Sequence, residues 1–171
     1  MNNQLQNFRS FLARFLPNQA EKVSEKNLAD FQNFGVWKNV CEQILATKPF
    51  PPESSDFSDE ILERDSRLTF SKSSNWGIVC QEILDTELSH VYYQRCLDEL
   101  RRRGKSEQEI FEMRRFAWQT AGWFNFPMMV WDWTSLDESD ILRAIELLYD
   151  YKQISQEQRI EFENFVKHHA S

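Results

Sequence analysis

The chain has 171 residues, of which 41% are hydrophobic, 14% aromatic and 27% charged, with a formal net charge of −7 from 20 basic and 27 acidic side chains. That length predicts one domain, and that composition a globular one with no need of a disulfide or metal staple. The acidic balance argues against general binding to nucleic acid or anionic lipid and favours a basic partner; no run of about 20 apolar residues offers a membrane span.

Residues 4–16 carry Phe8, Phe11, Leu12, Phe15 and Leu16 at helical spacing, with Pro17 as the stop. Residues 19–33 read as a second helix through Val23, Leu28 and Phe31. A third follows from Trp37 to Thr47, with Trp37, Val40, Cys41, Ile44 and Leu45 at i, i+3, i+4, i+7 and i+8, one stripe on an α-helix. Lys48 to Ser58 holds Pro49, Pro51 and Pro52 and reads as a loop, followed by a short helix over 59–66 and an ambiguous stretch over 67–74. Asn75 is a suitable N-cap for a helix running to Arg103, which Gly104 stops in the left-handed conformation. Ser106 and Glu109 form a capping box opening a helix that ends near Gly122. Residues 123–135 are dense in aromatics and have no clean period. A helix over 137–152 and a last one opened by the Ser155–Gln158 capping box complete the chain. The expectation is an all-α fold: a single helical domain over 1–171, compact, of about six or seven helices.

One pattern recurs. Trp37, Val40, Cys41, Ile44, Leu45 and Thr47 return 39 residues later as Trp76, Val79, Cys80, Ile83, Leu84 and Thr86. Aligning 31–64 with 70–103 gives ten identities over 34 positions. An internal duplication of a helical unit is one reading, and a core solution reached twice is the other. The prolines at 49, 51 and 52 face Leu88, His90 and Val91, so the copies diverge where the first breaks. There is no third copy: Arg115 and Gln119 stand where Trp and Cys would fall.

The chemistry-bearing residues are few. Cys41, Cys80 and Cys96 lack CxxC spacing, so neither a zinc site nor a disulfide framework is expected. Cys41 and Cys80 lie inside apolar stripes and read as small hydrophobes, and Cys96, near Tyr92, Tyr93 and Leu97, reads the same way. Odd cysteine count and the absence of a basic or apolar leader at Met1 to Gln6 point to a cytoplasmic location. Glu87 and His90 form a Glu-x-x-His pair of the kind used in di-iron bundles, but no second half-site accompanies it; an exposed helical pair is the simpler account. No phosphate-cradling glycine loop, nucleophile elbow or His-Glu-x-x-His is present, so no cofactor is expected. Asp132, Asp137, Glu138 and Asp140 flank a helix N-terminus, where acids favour the dipole. Arg101, Arg102, Arg103 and Lys105, with Arg114 and Arg115, make the one basic patch, which the C-terminal dipole of the preceding helix explains better than a phosphate site does.

The stretch from Phe116 to Trp133 is the remaining candidate. Its aromatics suit a core, and equally suit an interface. On the interface reading Trp123, Phe126, Trp131, Asp132 and Trp133 are the binding residues, with Asn125 and Thr134 as polar accents. The leading expectation is a non-enzymatic, soluble protein-binding module, in one version an acidic inhibitor or immunity-type protein that neutralises a basic partner. The alternative is a small-molecule binder or carboxylate-using enzyme whose pocket is lined by Trp118, Trp123 and Trp131. A helical scaffold that dimerises through its duplicated half is a third.

Overall fold

In the computed structural model the described residues are 3–47, 70, 73–83, 90–128 and 136–171. They form helices joined by turns, bends and short irregular segments, with no strand among them. The α-helices are α1 (Asn3–Ala13), α2 (Pro17–Ala20), α3 (Phe34–Thr47), α4 (Asn75–Val79), α5 (His90–Arg102), α6 (Glu107–Gln119), α7 (Ala121–Asn125), α8 (Glu138–Asp150) and α9 (Gln156–His169). Two 3₁₀ segments, Leu28–Gln32 and Cys80–Ile83, join them. The expected all-α class is what the chain adopts. The loop, helix and ambiguous stretch read over 48–74 lie almost wholly outside the described residues.

The local chemistry sets most helix ends. Ser106 Oγ accepts from the Glu109 N–H while a Glu109 carboxylate oxygen accepts from the Ser106 N–H, and Ser155 with Gln158 repeats the arrangement. Asp137 and Asp140 do the same for α8. Gly104, at φ 85°, closes α5: its N–H donates to the Arg101 carbonyl and the Lys105 N–H to the Leu100 carbonyl.

Several boundaries differ from the sequence reading. Pro17 opens α2 at its first position, where the missing N–H costs nothing, and the chain turns through Arg14–Leu16 instead. The expected helix over 19–33 breaks after Ala20, because Asn27 competes for the backbone: its Oδ1 accepts from the Ser24 N–H and its Nδ2 donates to the Lys22 carbonyl. Arg9 adds to the break by donating to the carbonyls of Ala20 and Glu21. Ser74, not Asn75, caps α4, accepting from the Gly77 N–H at 3.0 Å. The helix expected from 75 to 103 tightens to 3₁₀ geometry at Cys80.

The core is one cluster of buried apolar side chains drawn from the helices. Trp37, Trp76, Trp118 and Trp123 are its largest fully buried members. Aromatic side chains of this kind remove ~150–250 Å² each from water, worth roughly 4–6 kcal/mol apiece before the entropy of ordering them. α3 packs on α6, α4 on α6, α7 on α8, and α8 with α9 as a helical hairpin.

Candidate functional site

The two cassettes seat themselves alike. Trp37, Val40, Cys41 and Ile44 are buried in α3, and Trp76, Val79, Cys80 and Ile83 are buried in α4 and the 3₁₀ turn after it. Both indole N–H groups are spent on another helix's last turn. Trp37 Nε1 donates to the Trp118 carbonyl in α6 at 2.9 Å, and Trp76 Nε1 donates to the Val166 carbonyl in α9 at 2.8 Å. Carbonyls at a helix C-terminus lack intrahelical donors, so a buried one needs a partner from elsewhere. Cys41 Sγ adds a weaker donation to the same Trp118 carbonyl at 3.4 Å. Burial pushes the Cys41 and Cys80 thiols well up, so neither is a thiolate at neutral pH.

Trp118 is where the copies meet. Its carbonyl receives Trp37 and Cys41 of the first, and its own indole N–H donates to Glu82 Oε1 of the second at 2.8 Å. Its ring stacks on Phe126 with centroids 5.7 Å apart and stands edge-on to Phe15 at 5.8 Å. Glu82 itself is buried, with Arg114 Nε 3.0 Å from Oε2 and 3.2 Å from Oε1. Burial pushes the Glu82 carboxyl up, and Arg114 with the Trp118 N–H pulls it part of the way back. Tyr93, also buried, has its phenol pushed well up for the same reason, with Glu82 close enough to add to the effect.

This buried carboxylate, guanidinium and indole form the most chemically loaded cluster among the described residues. Its geometry is that of a closed network: both oxygens of Glu82 already accept hydrogen bonds. No protein family, no curated protein and no solved structure matches the chain. The cluster therefore stands on its own geometry.

The residues singled out from sequence divide in three. Trp123 and Phe126 are core, not surface: Trp123 is 1% exposed with Nε1 donating to the Gln32 carbonyl, and Phe126 is 3% exposed and stacked on Phe11 at 3.7 Å. Neither is placed to touch a partner, because their apolar area is worth more inside than in water. Trp131, Asp132, Trp133 and Thr134 lie outside the described residues, as do Glu87 and the side chain of His90. Asn125 is buried and donates to the Ile83 carbonyl at 3.0 Å. Among the described residues no group of three or more His, Cys, Asp or Glu side chains is arranged to hold a metal ion, and no helix is long and apolar enough to cross a membrane.

The arginines of the basic patch are held in ion pairs. Arg101 pairs with Asp98 and Glu107, Arg102 with Glu99, and Arg115 with Glu42. Arg103 pairs with Glu99 and also donates to the carbonyls of Phe70 and Ser73, tying the chain before α4 to the end of α5. An open groove of about 430 Å³ between α8 and α9 is lined by Leu142, Arg143, Glu146, Arg159, Glu163 and Lys167. Arg143 is paired there with Glu146 and Arg159 with Glu163.

Sequence reasoning missed Glu82 and Arg114 as partners. The available signal was Trp118, since a buried indole N–H requires an acceptor.

Proposed function

We propose that the chain is a non-enzymatic protein-binding module that engages a basic partner through its acidic surface, in the manner of an inhibitor or immunity protein. One observation carries this reading: the formal net charge of −7, from 27 acidic against 20 basic side chains. Arg101, Arg102, Arg103, Arg114, Arg115, Arg143 and Arg159 are each held in an ion pair. Glu25, Asp30, Asp150, Glu157 and Glu161 are exposed and make no ion pair with any described residue, and the same holds of Lys22, Lys26, Lys152 and Lys167. On a chain of net charge −7, such acids set up a field that steers a cationic partner more than it adds to final affinity.

The test begins with chemical cross-linking in the native source, followed by purification of the captured pair. Association should slow on the order of tenfold or more as ionic strength rises past the physiological range. Asp150→Lys with Glu161→Lys should slow it further without unfolding the chain. A neutral or acidic partner whose association ignores salt would overturn the reading.

A second reading, a small-molecule binder or carboxylate-using enzyme, draws support from Glu82, a buried carboxyl with a raised pKa. Against it stands the engagement of that carboxylate by Arg114 and Trp118.

A further inference from the structure

The last turn of α9 is seated by groups from α4. Asn75 Nδ2 donates to the His169 carbonyl at 3.2 Å, and Trp76 Nε1 donates to the Val166 carbonyl at 2.8 Å. Asn75 is itself fixed, its Oδ1 accepting from Arg103 at 3.1 Å. The His169 ring belongs to the same turn, in a residue 5% exposed. Its centroid is 4.6 Å from that of Phe165, and it stands edge-on to Trp76 at 6.4 Å. Nδ1 is buried and makes no hydrogen bond to a described residue; the Glu109 carboxylate is 4.0 Å away, beyond hydrogen-bond reach.

We propose that His169 is a proton-operated latch: the neutral imidazole seats the last turn of α9 on Asn75 and Trp76, and the imidazolium releases it. An imidazolium needs acceptors for both its N–H groups. For Nδ1 the slot offers aromatic rings and a carboxylate too far off to accept. The charged groups facing the ring act in both directions. From α6, Glu109 and Glu112 favour the cation, whereas Lys105 before α6 and His168 on the same helix oppose it. α4 brings Asn75 and Trp76, neither of which titrates. Burial is the largest effect and holds the imidazole below its ordinary value of 6.5. The unfolded turn then binds the proton more readily, so seating is full above pH 6.5 and is lost as pH falls below it.

The experiment is amide hydrogen exchange on the full chain at about pH 7.5 and about pH 5.5, corrected for intrinsic rates, alongside an NMR titration of the histidine ring protons. Amides of residues 166–170 should lose protection at the lower pH, with His169 titrating below 6.5. His169→Phe should keep protection at both pH values, and His168→Gln should respond as the parent does. Protection that does not change with pH would overturn the latch. So would a His169 that titrates above 6.5 with protection rising, because Glu109 would then be its partner.

Discussion

Two residues show how much a single position can carry. Lys152 sits at φ 56°, in the left-handed region, with its N–H on the Tyr149 carbonyl and the Gln153 N–H on the Leu148 carbonyl. Gly104 makes the same closure after α5 with no Cβ to strain. The geometry at Lys152 is kept because Gln153, next in the chain, accepts the Phe34 N–H on its side chain and so caps α3. Lys152→Gly should therefore raise stability by about 1 kcal/mol, read as a higher denaturant midpoint at unchanged slope. A lowered midpoint would show that the turn is unstrained. Glu99 accepts hydrogen bonds from both Arg102 and Arg103, which hold its carboxyl near 2 against an ordinary 4.5. A depressed carboxylate contributes its stability above the unfolded value and loses it as pH falls. The acid limb of unfolding should thus steepen between pH 4.5 and about 2, and Glu99→Gln should flatten that window. An unchanged limb in the variant would remove Glu99 from the account.

At the scale of the element, legibility followed the range of the interaction. The Ser106 and Ser155 capping boxes and the Gly104 stop involve residues three to five apart, and all are present where the spacing places them. The stripe of Trp37, Val40, Cys41 and Ile44 is likewise buried on one face of α3. The helix expected over 19–33 failed on a competition that spacing does not weigh, the Asn27 side chain against its own backbone. In the helix expected after Asn75 the cap moved for a tertiary reason: Asn75 is fully buried, bonded to His169 on α9 and Arg103 on α5, and Ser74 takes the cap, while 80–83 are 3₁₀ and 84–89 lie outside the described residues. The candidate site was harder still. Glu82 reads from sequence as one polar residue on a helix flank, and its burial depends on Arg114, 32 positions away. Trp123 and Phe126 could be told apart from interface anchors only by what covers them, Gln32 and Phe11.

Across the whole molecule, the repeated cassette is an architectural device. Each copy spends its tryptophan N–H on another helix's end, and the copies converge on Trp118 from opposite sides, one at the carbonyl and one at the indole. Glu82 is then a structural acceptor, and the binding proposed above does not draw on it. This is the central claim, and a double-mutant cycle on Glu82→Ala and Trp118→Phe tests it most directly. Glu82→Ala alone should cost about 1–3 kcal/mol, because it removes the carboxylate that accepts from the buried Trp118 indole N–H and from Arg114. Equilibrium unfolding of the singles and the double should give a coupling energy of about 1–3 kcal/mol, the worth of a buried hydrogen bond to a charged group. Additivity within about 0.5 kcal/mol, with Glu82→Ala as stable as the parent, would contradict the account and return the Glu82 carboxylate to chemistry.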